Sequence, residues 1–96
     1  MTLIKTKPWN ASDHINDPEE YLKASLEAVQ ETGDTRIFNQ ALQDVAKIQK
    51  FSVIAQKSGL GRESLYKALT PGSNPRFETI NKVISAMGFK LTIEQA

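Results

Sequence analysis

From Pro18 onward the apolar residues recur at spacings of three and four, the repeat of a helix that buries one stripe. Leu22, Leu26 and Val29, with Tyr21 and Ala28 beside them, predict a first helix from Pro18 to about Glu31. Ile37, Phe38, Ala41, Leu42, Val45, Ala46 and Ile48 predict a second, from Arg36 to about Lys50. The stretch Ser52–Leu69, SVIAQKSGLGRESLYKAL, then splits into two short helices, Val53 to Ser58 and Arg62 to Leu69. Ile54, Ala55, Leu60, Leu65 and Leu69 supply their apolar contacts. Ile80, Val83, Ile84 and Met87 predict a fifth helix from about Arg76 to Met87, with Phe77 at its entrance. The period then falls to two. Phe89-Lys90-Leu91-Thr92-Ile93 alternates apolar with polar, the signature of a β-strand.

The boundaries follow from residue chemistry. Asp17 caps the first helix, Pro18 suits its first position, and Glu19 and Glu20 sit at the positive end of its dipole. Gly33 closes it. Asp34 or Thr35 caps the second helix and Ser52 the third. Gly59 takes the positive φ of a sharp turn, Leu60 drops into the core, and Gly61 is a weak cap for the fourth helix. Thr70-Pro71-Gly72-Ser73-Asn74-Pro75 is a loop of helix breakers, and Gly88 ends the fifth helix. The pattern describes an all-α chain of five helices with one short C-terminal strand. That strand lacks an obvious partner, and an unpaired edge seeks another. It is expected to pair with a second copy about a two-fold axis, making Phe89, Leu91 and Ile93 a dimer interface, or with Leu3-Ile4. Residues 1–16 read as an irregular N-terminal arm broken by Pro8, and 17–96 as one domain. Trp9 either folds back on the core or anchors a partner protein, and His14 reads as a surface or capping residue.

Composition narrows the chemistry. Ninety-six residues allow one small core. With no cysteine and a single histidine there is no disulfide framework, thiol nucleophile or histidine cluster, and the pattern calls for no cofactor. No Gly-rich phosphate loop or paired carboxylates at a plausible site argue for an enzyme. No apolar run has the length of a membrane span, and the N-terminus lacks a signal-peptide core, so the expectation is a cytoplasmic protein. The net charge of +1 hides a division. Residues 1–50 carry six Lys/Arg and eight Asp/Glu, and residues 51–96 carry six Lys/Arg and three Asp/Glu. The basic half suits a phosphate-facing surface.

That half also holds the two short helices and their glycine turn, the sequence form of a helix-turn-helix, whose second helix commonly lies in the DNA major groove. Arg62 is the candidate for a guanine contact, because its planar fork matches two acceptors on that base edge. Glu63 accepts from a cytosine amino group or holds Arg62. Ser64 and Lys67 lie on the same exposed side. Tyr66 either reaches a phosphate through its hydroxyl or is half buried. Lys57, Ser73, Asn74 and Arg76 flank the helix as candidate phosphate contacts, which fix register without reading sequence. The plainer alternative is an ordinary solvated face in which Glu63 and Lys67, four apart, form a helix pair.

The run SVIAQKSGLGRESLYKALTPGSNPRFETINKVISAMGFKL closely resembles the addiction-module antidote proteins, small antitoxins with a phage-repressor-like helix-turn-helix. Its most specific words are GLGRESLYKAL and GSNPRFETINKVISAMGFKL, and the resemblance covers roughly residues 17–93. Two positions depart from the pattern. Gly61 stands where such proteins often carry serine, and Phe51 where many phage-repressor-like domains carry a DNA-touching glutamine. The resemblance implies a HigA-like antitoxin that forms a homodimer, binds double-stranded DNA at its own operator, and pairs with a RelE/HigB-type toxin. The competing expectation is a protein-interaction module that neutralises a toxin without specific DNA binding.

Overall fold

A computed structural model describes residues 16–95. Five helices follow one another: α1 (Pro18–Thr32), α2 (Arg36–Ile48), α3 (Phe51–Ser58), α4 (Arg62–Leu69) and α5 (Phe77–Ala86). The five expected helices are therefore present. Trp9, His14, the Leu3-Ile4 segment and the rest of the N-terminal arm up to residue 15 lie outside the described residues.

Local chemistry sets most boundaries. The Asp17 carboxylate accepts from the Glu20 amide at 3.3 Å, Pro18 opens α1, and Gly33 ends it in the left-handed conformation. Between α1 and α2 the Asp34 carboxylate accepts from the Arg36 amide at 3.0 Å. It also takes two guanidinium bonds from Arg36, each 2.9 Å. This ion pair holds the Asp34 carboxyl below its usual range.

The start of α3 corrects one expectation. Ser52 lies inside the helix, and the residue before it is Lys50 at φ 80. A non-glycine residue with positive φ costs about 1–2 kcal/mol. Here it turns the chain so that Phe51 enters α3 and packs on the core. The α3–α4 turn is built on Gly59 (φ 77) and Gly61 (φ 82), values that L side chains rarely adopt. The Gly61 amide donates to the Ala55 carbonyl at 3.4 Å and the Leu60 amide to the Ser58 hydroxyl at 3.4 Å.

One core joins all five helices. Leu22 from α1 meets Leu42 and Val45 from α2, Ile54 from α3, Leu65 and Leu69 from α4, and Val83 and Ile84 from α5. Leu42, Val45, Leu65, Leu69 and Val83 are fully buried, each stabilising the fold by about 1.5–3 kcal/mol. Two polar residues on α2 are buried with bonds that compensate their desolvation. Asp44 accepts from the Tyr21 hydroxyl at 2.6 Å and from the Gln40 amide at 3.1 Å, tying α1 to α2. Burial, together with that bond, pushes the ionisation of the Tyr21 hydroxyl well up. Asn39 donates to the Thr70 carbonyl at 3.4 Å and steadies the loop after α4.

The expected strand is not formed. Residues 88–95 follow α5 without a ladder, and no strand occurs among the described residues. The alternation has another cause. The tail runs along the domain with Phe89 and Leu91 half buried on the core, while Ile93 is 98% exposed. The Phe89 amide bonds to Ile84 rather than to a neighbouring strand. Phe89 and Leu91 thus turn partly toward their own domain, which removes the strand-pairing argument for an interface at Phe89, Leu91 and Ile93.

Candidate nucleic-acid interface

Helix α4 presents a surface divided by its own packing. Leu65, Ala68 and Leu69 are buried and fix the helix against the core, whereas Arg62, Glu63, Ser64, Tyr66 and Lys67 face outward. The helix has eight residues, and its start at Gly61 carries no side-chain cap. Its first amides are therefore exposed at the end that carries Arg62 and Glu63.

Part of the candidate set converges. Ser64, Lys67, Ser73 and Arg76 line one shallow groove of ≈ 530 Å³ together with Leu60, Pro75 and Thr79. One wall is α4 and the other is the entrance to α5. Arg76 precedes α5 in extended conformation, and no side chain caps that helix either. The groove thus sets two cations and three hydroxyl-bearing side chains around an open cleft. The Ser73 hydroxyl already donates to the Ala68 carbonyl at 2.9 Å, so it faces the groove as an acceptor. Lys67 and Arg76 are free to meet an anion: among the described residues the ion pairs are Lys23–Glu19, Arg36–Asp34 and Lys82–Glu78. Glu63 and Lys67, although spaced for a pair, do not form one.

The other candidates are placed elsewhere. Arg62 and Glu63 stand on the first turn of α4, outside this groove. Lys57 lines a separate groove of ≈ 700 Å³ between α3 and α5, opposite Lys82 and Asn81. Asn74, in left-handed conformation at φ 56, borders an apolar groove on the far side of Pro75. Tyr66 is 51% exposed, and its ring lies 4.6 Å from the ring of Phe51 at 43°. Phe51, standing at the position where a polar residue is common, therefore positions Tyr66. The Tyr66 hydroxyl makes no hydrogen bond among the described residues.

Two features had no clear signal in the sequence. Thr79 reads as a polar position on α5, yet it faces the basic groove, because the first turn of α5 runs beside α4. Lys82 falls on an ordinary helix face, yet it shares a groove with Lys57. Among the described residues no group of His, Asp and Glu could hold a metal ion, and no helix is long and apolar enough to cross a membrane.

Comparison with known proteins gives this surface a context. A family model described as probable addiction module antidote protein matches residues 5–95. A protein of Haemophilus influenzae, described as an uncharacterized protein, is 31% identical over 90 residues, covering 94% of this chain and 92% of its own. No solved structure matches the chain. The family match runs through all five helices, the basic groove and the C-terminal tail, so the chain belongs to the addiction module antidote proteins, a family that suggests an antitoxin role beside a cognate toxin.

Proposed function

We propose that this antidote is also a sequence-specific DNA-binding repressor, acting as a dimer on its own operator and neutralising a RelE/HigB-type toxin. The observation that carries the reading is the convergence around α4. Three buried residues hold the helix, its outer face is polar throughout, and Lys67 and Arg76 meet across one open groove beside it. With α4 in the major groove, Arg62, Glu63 and Ser64 meet base edges. Lys67, Arg76, Ser73, Thr79 and the Tyr66 hydroxyl meet the flanking phosphates. The role is binding rather than catalysis, exercised in the cytoplasm where the operator resides.

A mobility-shift assay with the protein's own upstream DNA tests this reading. A complex is expected at low salt, and it should weaken steeply as salt rises, because each neutralised phosphate releases counterions. The second reading, an antitoxin acting through protein contacts alone, draws on the apolar grooves that lie away from α4. It requires that no specific complex forms at low salt. A small RelE-like toxin gene next to this one would support the partner assignment, and co-purification of the two products would test it.

A further inference from the structure

The helices leave an apolar recess that their own core does not fill. Leu26, Val29, Phe38, Phe77, Ile80 and Leu91 line a groove of ≈ 340 Å³ between α1, α2, α5 and the tail, and no charged side chain lines it. A second groove of ≈ 480 Å³ shares Leu26, Phe38 and Leu91, so the two form one continuous strip. Phe77 is 71% exposed at the rim, and Ile93, two residues beyond Leu91, is 98% exposed.

We propose that this strip seats a second copy of the same chain, paired about a two-fold axis. A two-fold interface must be self-complementary, and this surface carries both parts: a recess, and projecting apolar side chains at its edge. The uncharged groove offers nothing to select a partner of opposite charge and nothing to repel an identical one. Its position also fits. Pro75 lines the apolar groove on one side and the basic groove of Lys67 and Arg76 on the other. Pairing here sets the two basic grooves beside the seam, the arrangement that a reader of two half-sites requires. The seam is thus formed by packing at the α1–α5 groove rather than by strand pairing. The inference deepens the dimeric reading of the proposed function and is tested without DNA, so its failure is separate from a failure of operator binding.

The experiment is sedimentation of the full chain. Wild type is expected at twice 10.7 kDa and Phe77→Glu at 10.7 kDa. The dimer dissociation constant should rise roughly 100-fold or more, since a buried aromatic is replaced by a charge on both copies. Because Phe77 is largely exposed, the variant should keep its wild-type helical circular dichroism. Val29→Glu, on the opposite wall, carries the same expectation should Phe77→Glu misfold. A Phe77→Glu chain that dimerises with wild-type affinity overturns the inference. So does a wild-type chain that stays monomeric up to submillimolar concentration, or one that dimerises only after removal of residues 1–15, which would identify the chain's own N-terminal segment as the occupant.

Discussion

Replacing Lys67 and Arg76 together by alanine tests the electrostatic half of the proposed function with a magnitude fixed in advance. The two cations line one groove from opposite walls and belong to none of the ion pairs among the described residues. Each is therefore available to displace counterions from one phosphate. On duplex DNA each such contact contributes about 0.9 to the slope of log affinity against log salt, so the double variant should flatten that slope by about 1.8. Between about 50 and 200 mM salt, wild type should then lose roughly tenfold more affinity than the variant. Fluorescence anisotropy with an operator duplex at several salt concentrations measures both slopes. The loss should be uniform across operator variants, since phosphate contacts carry no sequence information. Lys23→Ala serves as the control, because Lys23 lies on α1 and already pairs with Glu19 at 3.3 Å. An unchanged slope would refute the reasoning, as would a loss confined to one DNA sequence.

Three further outcomes are expected. Arg62→Ala should cost about 1–3 kcal/mol of discrimination at one base pair and leave the salt slope nearly intact, which competition with single-base operator variants measures. Tyr21→Phe removes the 2.6 Å bond to buried Asp44 and leaves that carboxylate with Gln40 alone; the cost should be about 2 kcal/mol, a fall of roughly 8–16 °C in thermal circular dichroism. The same hydroxyl makes stability depend on alkaline pH. Its ionisation is raised in the fold, so its contribution is complete below the unfolded value of about 10 and is lost as pH rises beyond it; urea titrations should show that loss in wild type and a smaller one in Tyr21→Phe.

The helices were legible because their signals were redundant. In α1 the stripe of Leu22, Leu26 and Val29, the Asp17 cap and the terminal Gly33 all agree, and each is found in place. The misplaced features are those that depend on contacts distant in sequence. Ser52 is a good capping residue type, but Lys50 accepts a left-handed conformation and the helix begins earlier, because Phe51 gains the Tyr66 ring and the core. A period of two reports alternate burial, and a chain lying along a helical domain produces it as well as a sheet does. Phe89 and Leu91 are down and Ile93 is out for that reason. At the site, the breaker-rich loop was readable as a loop, yet its composition could not say that Ser73 would face the basic groove and Asn74 the apolar one.

The ambiguity at α4 has a physical origin of the same kind. An eight-residue helix is fixed here by Leu65, Ala68 and Leu69, so its remaining positions carry no packing demand. A recognition face and an idle solvated face then look alike in sequence, since both are polar at helical spacing. What separates them is the company they keep in space. An idle face pairs its charges along the helix, as Lys23 does with Glu19 and Lys82 with Glu78. On α4, Glu63 and Lys67 have the same spacing and make no such pair, while Lys67 shares its groove with Arg76 from another element. Like charges brought together across a cleft repel unless an anion lies between them. Holding Lys67 opposite Arg76 therefore favours a bound polyanion, and the division of the chain into an acidic first half and a basic second half places that anion on the side of α4 rather than of α1.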